Sequence, residues 1–324
     1  MRLVPKAVAA VALGLVAACA DSPVTPAPEL VPPDALQSET VVIDGEEVEA
    51  QRPLLDVTDW DDARELIDLE VLTPEAASDI GTGSAIVITI PDEGRFGCTA
   101  NFIWEARGRF YLGSAGHCFL PGSATATHGA GADYDASGVV VEVCVEDCEG
   151  NFRTNLLVGR WVRLAGVAYA RQQNEAGSGV GHDFGVVEVP KKIAEVIRPA
   201  MPVWGGPTGE DDLLLGEHGC HYGHGLIVGE TFLTKARTGL GGVWTDEWWA
   251  GDFAGSPGDS GSGMVQCEPV VATFEGRGAI GVLTHLGVGF DTSTGGTGLI
   301  LGTTLPRAIE MAREANLKLS LLLQ

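Results

Sequence analysis

The sequence predicts an all-β fold, a sandwich or barrels, that ends in one C-terminal helix. Of the 324 residues, 45 are glycine and 45% are hydrophobic. From residue 80 onward, short apolar segments alternate with glycines, which is typical of antiparallel strands joined by turns. The predicted strands cover 85–90, 110–112, 139–143, 184–189 and 279–283. At the end of the chain, Thr304 as a cap and Pro306 in the first turn predict a helix.

The first 18 residues have the features of an export signal. Arg2 and Lys6 precede an apolar run over residues 7–16, which is too short to span a bilayer comfortably. The run ends in Leu15-Val-Ala-Ala-Cys19, which resembles the lipobox of bacterial lipoproteins. This resemblance implies a lipid on Cys19, which becomes the new N-terminus and attaches the protein to the membrane of the cell envelope. An ordinary cleaved signal, giving a secreted protein, is the alternative.

Two segments of unusual composition follow the signal. Residues 19–37 are rich in proline and lack periodicity, which is typical of a solvated tether. Residues 20–80 carry 17 Asp and Glu against two arginines, and most of these acidic residues lie in the segment over 38–79. We expect this acidic segment to be a pro-region, a small packing element or a weakly ordered spacer.

The acidic segment has two local patterns. Asp44-Gly45 between the apolar residues of 41–48 predicts a β-hairpin. Apolar residues at helical spacing predict a helix over 59–72, with Asp59 as its N-cap. These apolar residues are Trp60, Ala63, Leu66 and Ile67.

The formal net charge of −24 argues against nucleic acid as a partner, because binding to phosphates needs a basic patch. We expect no cofactor. His218, Cys220, His221 and His224 form a cluster of residue types that bind zinc. We nevertheless expect no metal, because a structural site needs four ligands and Cys220 is expected to be oxidised.

Three separated motifs supply the parts of a nucleophilic site. Pro257-Gly-Asp-Ser260-Gly-Ser-Gly263 offers a serine, Gly113-Ser-Ala-Gly-His117-Cys118 offers a base, and Asp183 before an apolar strand offers a carboxylate. A serine hydroxyl holds its proton, so it needs a base, and the base needs an orienting carboxylate. His117, Asp183 and Ser260 are therefore the predicted catalytic triad. Asp133 and Asp135 are weaker candidates for the acid, because no apolar strand follows them.

These motifs resemble those of trypsin/chymotrypsin-like serine peptidases. Cys98-Thr-Ala-Asn-Phe and the order His, Asp, Ser also fit, whereas α/β-hydrolases have the order Ser, acid, His. Cys220-His-Tyr-Gly-His-Gly225 and Ala279-Ile-Gly-Val-Leu-Thr-His285 are similar to segments of the bacterial, streptogrisin-like branch. The resemblance covers residues 80–316. It implies a chymotrypsin-like fold of two six-stranded antiparallel β-barrels with a C-terminal helix.

The resemblance also implies a function and a domain organisation. We expect a monomeric serine endopeptidase that hydrolyses polypeptides through an acyl-enzyme intermediate. Its peptidase domain is expected over 80–324, with the barrel boundary near 191–210. A catalytically inactive peptidase-like binding protein of the envelope is the alternative, because a sequence does not exclude a blocked cleft.

The resemblance assigns roles around the serine. The backbone N–H groups of Gly258 and Ser260 are expected to form the oxyanion hole. The aspartate before the serine, Asp259, is expected to be buried against a positive group. No activation sequence is evident near residue 80, so that partner is left open and an internal group is one possibility.

Seven cysteines occur, and six remain if Cys19 is lipidated, an even number that predicts three disulfides in an exported protein. The resemblance implies a Cys98–Cys118 bond that holds the histidine strand. Cys144 and Cys148 are close enough in sequence for a disulfide that closes a short loop. Cys220 and Cys267 are then left to pair, which departs from the family pattern around the specificity pocket.

By the same resemblance, the primary specificity pocket has two walls. One contains Ala254, where a trypsin-like preference for Arg or Lys needs an aspartate. The other contains Thr284, His285, Leu286 and Gly287, and glutamate-specific relatives use a histidine in this wall. We expect small or apolar substrate residues first and acidic ones second.

Overall fold

The computed structural model describes residues 38–43, 45–120, 127–128, 134–148, 150–151, 155–174, 177–225, 235–267, 278–287 and 297–324. The predicted signal over 1–18, the tether over 19–37, and Cys19 lie outside the described residues. No helix among the described residues is long and apolar enough to cross a membrane.

The acidic segment begins with the predicted hairpin. Strands β1 (Ser38–Ile43) and β2 (Glu46–Gln51) pair antiparallel, with Ile43 opposite Glu46. Gly45 has φ of 86°, a left-handed conformation that glycine adopts without strain. The hairpin prediction is therefore confirmed.

The helix predicted over 59–72 is wrong. Short strands occupy this region instead: β3 (Leu55–Asp56), β4 (Asp61–Asp62) and β5 (Glu65–Leu66). A four-residue helix, α1 (Pro74–Ala77), follows with Thr73 as its N-cap. The segment is extended because it pairs with the edge of neighbouring strands: alternate N–H groups of residues 61–67 donate to carbonyl groups of residues 155–161. For example, Glu65 N donates to Gly159 O at 2.9 Å and Ile67 N donates to Trp161 O at 2.9 Å.

The first barrel is formed by two six-stranded sheets that share bent strands. Their strands are β6 (Ala85–Ile90), β7 (Gly94–Thr99), β8 (Ile103–Ala106), β9 (Arg109–Ser114), β10 (Thr127–His128), β11 (Val140–Glu146), β14 (Arg160–Arg163), β15 (Gly166–Arg171), β16 (Phe184–Glu188) and β23 (Ser320–Leu321), together with β3 and β5. The orders of the two sheets are β3-β7-β6-β11-β14-β5 and β10-β15-β16-β9-β8-β23. Strands β12 (Gly150–Asn151) and β13 (Leu156–Leu157) pair with each other beside β4.

Two strands pass from one sheet to the other and close this barrel. Leu164 N donates to Val141 O in one sheet, and Ala165 N donates to Glu188 O in the other. Asn101 N likewise donates to Gly113 O between β7 and β8. The strand positions around the barrel are therefore β6, β7/β8, β9, β16, β15/β14 and β11, six in all. A short helix, α2 (Lys191–Ala194), follows β16.

The second barrel contains six strands: β17 (His218–Tyr222), β18 (Ala236–Trp244), β19 (Trp248–Ala254), β20 (Gly263–Gln266), β21 (Ala279–Gly287) and β22 (Thr297–Thr304). It closes in the order β21-β20-β17-β18-β19-β22, because β21 also pairs with β22. The β1–β2 hairpin extends this sheet, because β2 pairs with the end of β21.

The C-terminal helix begins where the sequence predicted. Helix α3 (Leu305–Glu314) has Thr304 as its N-cap, and the Thr304 hydroxyl accepts from Arg307 N. Leu305, Ala308 and Met311 are buried in a cluster that contains residues of both barrels. The predicted all-β fold of two antiparallel barrels with a C-terminal helix is thus confirmed.

Candidate active site

His117 lies in a tight turn that the first barrel holds rigidly. Strand β9 ends at Ser114, and a 3₁₀ turn over Gly116–Cys118 follows. A Cβ at Gly116 would overlap the carbonyl oxygen of Arg171, so only glycine allows the turn to sit against β15. The Cys98–Cys118 disulfide joins the turn to β7. The backbone position of His117 is therefore fixed by contact with β15 and by the disulfide.

Asp183 orients His117 through two contacts. Its Oδ2 lies 2.6 Å from His117 Nδ1, and its Oδ1 accepts from the His117 backbone N–H at 2.9 Å. Thr303 Oγ1, on β22 of the second barrel, lies 3.2 Å from Asp183 N. The side chains of His117 and Asp183 are almost fully buried.

The charge on Asp183 is stabilised by its neighbours. Burial alone raises the pKa of the Asp183 carboxyl, but the His117 imidazole and the Arg52 guanidinium lower it. The net result is a pKa below the ordinary value. An ionised carboxylate in this position favours the tautomer with a proton on Nδ1, which leaves Nε2 of His117 able to accept one.

Ser260 lies in the loop between β19 and β20, which docks on the first barrel. Gly258 has φ of 99° and Gly261 has φ of 90°, so these two of the motif's three glycines are needed for the loop's shape. Thr99 N donates to Ser260 O at 2.9 Å, and Thr99 Oγ1 donates to Gly258 O at 2.8 Å. Cys118 Sγ lies 3.8 Å from Ser260 O. These contacts bring Ser260 next to the turn that carries His117.

Asp259 is buried against Arg237, an internal group on β18. Its Oδ2 contacts Arg237 Nη1 and accepts from Ser256 N at 2.8 Å, and its Oδ1 accepts from Gly225 N at 2.7 Å. The side chains of both members of the ion pair are almost fully buried. Arg237 is therefore the positive group expected beside Asp259, and no local motif in the sequence indicates it.

Gly258 and Ser260 converge on one oxygen atom of the N-terminal segment. The carbonyl oxygen of Pro53 accepts from Gly258 N at 3.1 Å and from Ser260 Oγ at 3.0 Å. Among the described residues, buried His117 Nε2 has no hydrogen-bond partner. The serine hydroxyl therefore donates to Pro53 in this structure and not to the histidine.

The residues expected to line the pocket lie on two strands of the second barrel. Ala254 is the last residue of β19, and its carbonyl oxygen accepts from His221 Nε2 at 2.8 Å. Thr284, His285, Leu286 and Gly287 end β21, and all four are buried. Strand β2 covers the end of this wall, because Gln51 pairs with Leu286 and Ala50 with Gly287.

His285 lies close to the His117–Asp183 pair. Its ring centroid is 6.4 Å from that of His117, and its Nδ1 is 2.8 Å from Thr284 Oγ1. Its Nε2 is 3.6 Å from Glu39 Oε1 on β1. Burial, with Arg52 nearby, lowers the pKa of His285 well below its ordinary value. His285 is therefore a neutral side chain that contacts the N-terminal hairpin.

The remaining candidates lie elsewhere. Asp135 caps the short turn over Ala136–Gly138 by accepting from Ser137 N, away from His117. Asp133 falls outside the described residues. His221 Nε2 and His224 Nε2 contact two different carbonyl oxygens, those of Ala254 and Gly83. Within the described ranges, no group of three His, Cys, Asp or Glu is arranged to hold a metal ion.

Three disulfides are present among the described residues: Cys98–Cys118, Cys144–Cys148 and Cys220–Cys267. The last of these joins β17 to the end of β20, the strand that follows the serine loop. Such bonds are typical of proteins that fold in an oxidising compartment. Cys220 is therefore not free to bind a metal.

The fold is similar to those of bacterial serine proteases. Thermobifida fusca protease A has 14% identity and a TM-score of 0.41, with 75% of this chain and 99% of that chain covered. Cellulomonas bogoriensis chymotrypsin has 15% identity and a TM-score of 0.39, with coverage of 76% and 100%. A glutamic acid-specific serine protease with a histidine triad in substrate binding has 14% identity and a TM-score of 0.41, with coverage of 75% and 100%.

At these values, the similarity assigns no activity or specificity to this chain. No family model matches the sequence, and no curated protein matches it significantly.

Proposed function

We propose that this protein is a serine endopeptidase with His117, Asp183 and Ser260 as its catalytic triad. One observation carries the proposal. A buried His117–Asp183 pair with a free Nε2 lies beside a loop whose serine hydroxyl and Gly258 N–H meet at a single carbonyl oxygen. That oxygen belongs to a peptide bond, which is the group that a peptidase must bind and polarise.

The geometry supports acyl transfer. When a substrate carbonyl takes the position of Pro53, Ser260 Oγ attacks its carbon while His117 Nε2 accepts the hydroxyl proton. The negative oxygen of the tetrahedral intermediate is stabilised by Gly258 N–H and, in our proposal, by Ser260 N–H. His117 then gives its proton to the leaving amine, and an ester on Ser260 remains. Water then attacks the carbonyl carbon of the ester while His117 Nε2 accepts a proton from it. His117 returns this proton to Ser260 Oγ as the C–O bond breaks and the acid product leaves.

Asp183 and Asp259 have separate roles in this proposal. Asp183 holds His117 in the tautomer that accepts at Nε2 and stabilises the imidazolium that forms. Asp259, fixed by Arg237, holds the loop so that the N–H groups point to one place. A single donor of this kind contributes about 3–4 kcal/mol to lowering the barrier.

A fluorophosphonate probe tests the nucleophile. We expect the full-length protein to be labelled on Ser260 after prolonged incubation, because the reaction is irreversible and captures even rare exposure of the serine. Ser260→Ala should remain unlabelled, and Ser262→Ala, a change two residues away on the same loop, should be labelled like the wild type. Equal labelling of Ser260→Ala and wild type would refute the proposed nucleophile.

We propose that the enzyme prefers small or apolar residues, then acidic ones, at the cleaved bond. Ala254 supports this preference, since it offers no negative charge to Arg or Lys. Cleavage of a random peptide library by the active protein measures it directly. A preference for Arg or Lys would contradict the proposed pocket.

We also propose a domain organisation and a location. Residues 80–324 form the peptidase domain, residues 38–79 form an acidic pro-region or spacer, and a lipid on Cys19 attaches the protein to the bacterial cell envelope. The three disulfides support an extracytoplasmic location. Mass spectrometry of the mature N-terminus is expected to find acylated Cys19. An unmodified mature N-terminus at another residue would contradict the anchor.

A further inference from the structure

The N-terminal segment crosses the proposed active site. We call residues 50–54, which are the last two residues of β2 and the three residues after it, the strap. Ala50 and Gln51 pair antiparallel with Gly287 and Leu286 at the end of β21. Pro53 then places its carbonyl oxygen between Gly258 N and Ser260 Oγ. The strap thus occupies the position of an extended peptide bound at the edge of a sheet.

Arg52 provides a second point of attachment, on the catalytic acid. Its Nε is 3.7 Å from Asp183 Oδ2, and its Nη2 donates to Gln172 O at 2.6 Å. The Arg52 side chain is only 6% exposed, which places a guanidinium in the cleft beside the His117–Asp183 pair. The strap therefore contacts the serine and the aspartate of the triad at once.

Glu39 on β1 provides a third point. Its carboxylate accepts from Gly179 N at 2.8 Å and from Val180 N, in the loop that leads to Asp183. The same carboxylate lies 3.6 Å from His285 Nε2. The hairpin is therefore fastened to both sides of the cleft, by β21 pairing on one side and by Glu39 on the other.

These contacts leave no access to the triad. Ser260 and Asp183 have no exposed surface, and His117 has 1%. The Ser260 hydroxyl donates its proton to Pro53 O, and His117 Nε2 receives no hydrogen bond from the residues that the structure describes. Leu54 N also donates to Arg52 O at 3.0 Å, which bends the chain tightly at Pro53.

We propose that residues 38–54 are a built-in inhibitor that keeps the peptidase latent until the strap leaves the cleft. This inference rests on the proposed function. Because the strap is covalently part of the chain, its effective concentration at the cleft is high and modest contacts suffice to keep it bound. A polypeptide substrate competes with it for β21 and for the Gly258 N–H. Cutting the chain within or next to the hairpin removes that advantage and activates the enzyme.

Substitution of Ala50 tests the inhibitor without touching the triad. Ala50 has no exposed surface and packs in a cluster with Val180, Ala250 and Leu301. In Ala50→Trp, the larger side chain has no room in the cleft, so we expect the strap to be displaced. Val42→Trp is the matched control, because Val42 is on the same hairpin and is 61% exposed.

The readout is the rate of fluorophosphonate labelling of the full-length protein, with hydrogen exchange of residues 46–53 as the measure of strap release. We expect Ala50→Trp to show faster exchange there and labelling about tenfold faster or more than wild type. Val42→Trp should match the wild type in both. If Ala50→Trp does not fold, Glu39→Gln serves in its place, with exposed Glu47→Gln as its control.

The outcomes separate the inhibitor from the proposed function. Faster exchange in the strap with labelling at the wild-type rate overturns the inhibitor and leaves the serine nucleophile intact. A wild type whose strap is protected from exchange but whose serine reacts as fast as that of Ala50→Trp overturns it as well. A released strap with no labelling at all contradicts the proposed function itself.

Discussion

Asp183 and Asp259 are both buried carboxylates at the cleft, and they differ in the side chain that each contacts most closely. Asp183, in the first barrel, lies against the imidazole of His117 at 2.6 Å. Asp259, in the second barrel, is paired with the guanidinium of Arg237. Neither carboxylate has exposed surface, and both accept backbone N–H bonds. Their environments thus differ mainly in the side chain that each contacts most closely, although the Arg52 guanidinium also lies 3.7 Å from Asp183 Oδ2.

That one difference separates a chemical role from a structural one. Imidazole gains and loses a proton near neutral pH, whereas guanidinium stays protonated in proteins. The pair with His117 can therefore change its charge during a reaction, and the pair with Arg237 cannot. We expect changes at Asp183 to affect the rate and changes around Asp259 to affect the stability of the loop.

The largest expected effect is on activity, from Asp183→Asn. The amide cannot hold the same histidine tautomer, so we expect kcat for peptide hydrolysis, compared in the Ala50→Trp background that releases the strap, to fall by about 10⁴-fold. The midpoint of thermal unfolding should change little, because the amide keeps the shape of the side chain. Asp135→Asn, at the exposed turn cap, is the control. Loss of activity that merely tracks loss of folded protein would contradict the catalytic role of Asp183.

The next effect is on stability, from Arg237→Met. Removing the cation leaves Asp259 as a buried, unpaired charge, so we expect the free energy of unfolding to fall by about 3–5 kcal/mol. Denaturant unfolding measures it. Arg163→Met removes an exposed partner of Glu142 and should cost about 1 kcal/mol or less. The double variant Arg237→Met with Asp259→Asn should recover part of the loss, and no recovery would argue against the pair.

The contrast between the two carboxylates was only partly predictable from the sequence. His117, Asp183 and Ser260 lie in local motifs whose chemistry indicates a triad, and glycines in the serine motif indicate a shaped loop. Arg237 lies 22 residues before Asp259 in sequence and in no motif, and only the pairing of β17, β18 and β20 brings it there. Long-range partners of this kind carry no local signal.

The N-terminal segment shows the same limit in its secondary structure. Asp44-Gly45 predicts a hairpin because a tight turn is a local property. The apolar spacing of Trp60, Leu66 and Ile67 indicates a helix, but the segment meets free strand edges at Leu157 and Trp161 and pairs with them. Tertiary hydrogen bonding therefore overrides the local pattern. The contact of Pro53 with Ser260, across 207 residues, has no sequence signal either.

A third effect concerns pH, because a histidine lies beside the Asp259 pair. His221 is opposite Arg237 in the β17–β18 register, and its Nε2 is 2.8 Å from Ala254 O. Burial, then the charge of Arg237, lowers the pKa of His221 from 6.5 to about 4. Between pH 6.5 and about 4, His221 binds a proton in the unfolded chain but stays neutral in the folded protein. Stability is therefore full above pH 6.5 and falls as the pH drops toward 4.

Substitution of His221 tests its share of this pH effect. The shift corresponds to roughly 3 kcal/mol at most. His221→Gln keeps a donor for Ala254 O but does not titrate, so its unfolding free energy should fall less steeply with pH than that of the wild type. His224 and His285, whose pKa values are also lowered by burial, should keep part of the slope. An unchanged slope in His221→Gln would rule out His221 as a source of acid sensitivity.

The smallest effect tests whether a second arginine belongs to the scaffold or to the strap. Arg52 is a buried cation near Asp183, as Arg237 is near Asp259, but it lies on a segment that can leave. In Arg52→Met we expect the free energy of unfolding to fall by only about 1 kcal/mol, because water replaces the lost contacts when the strap opens. The same energy should raise the fluorophosphonate labelling rate about fivefold. Arg109→Met, which removes an exposed partner of Glu188, should change neither. If Arg52→Met instead destabilises the protein as much as Arg237→Met and leaves labelling unchanged, Arg52 is a structural cation, and the two carboxylates differ less than their partners indicate.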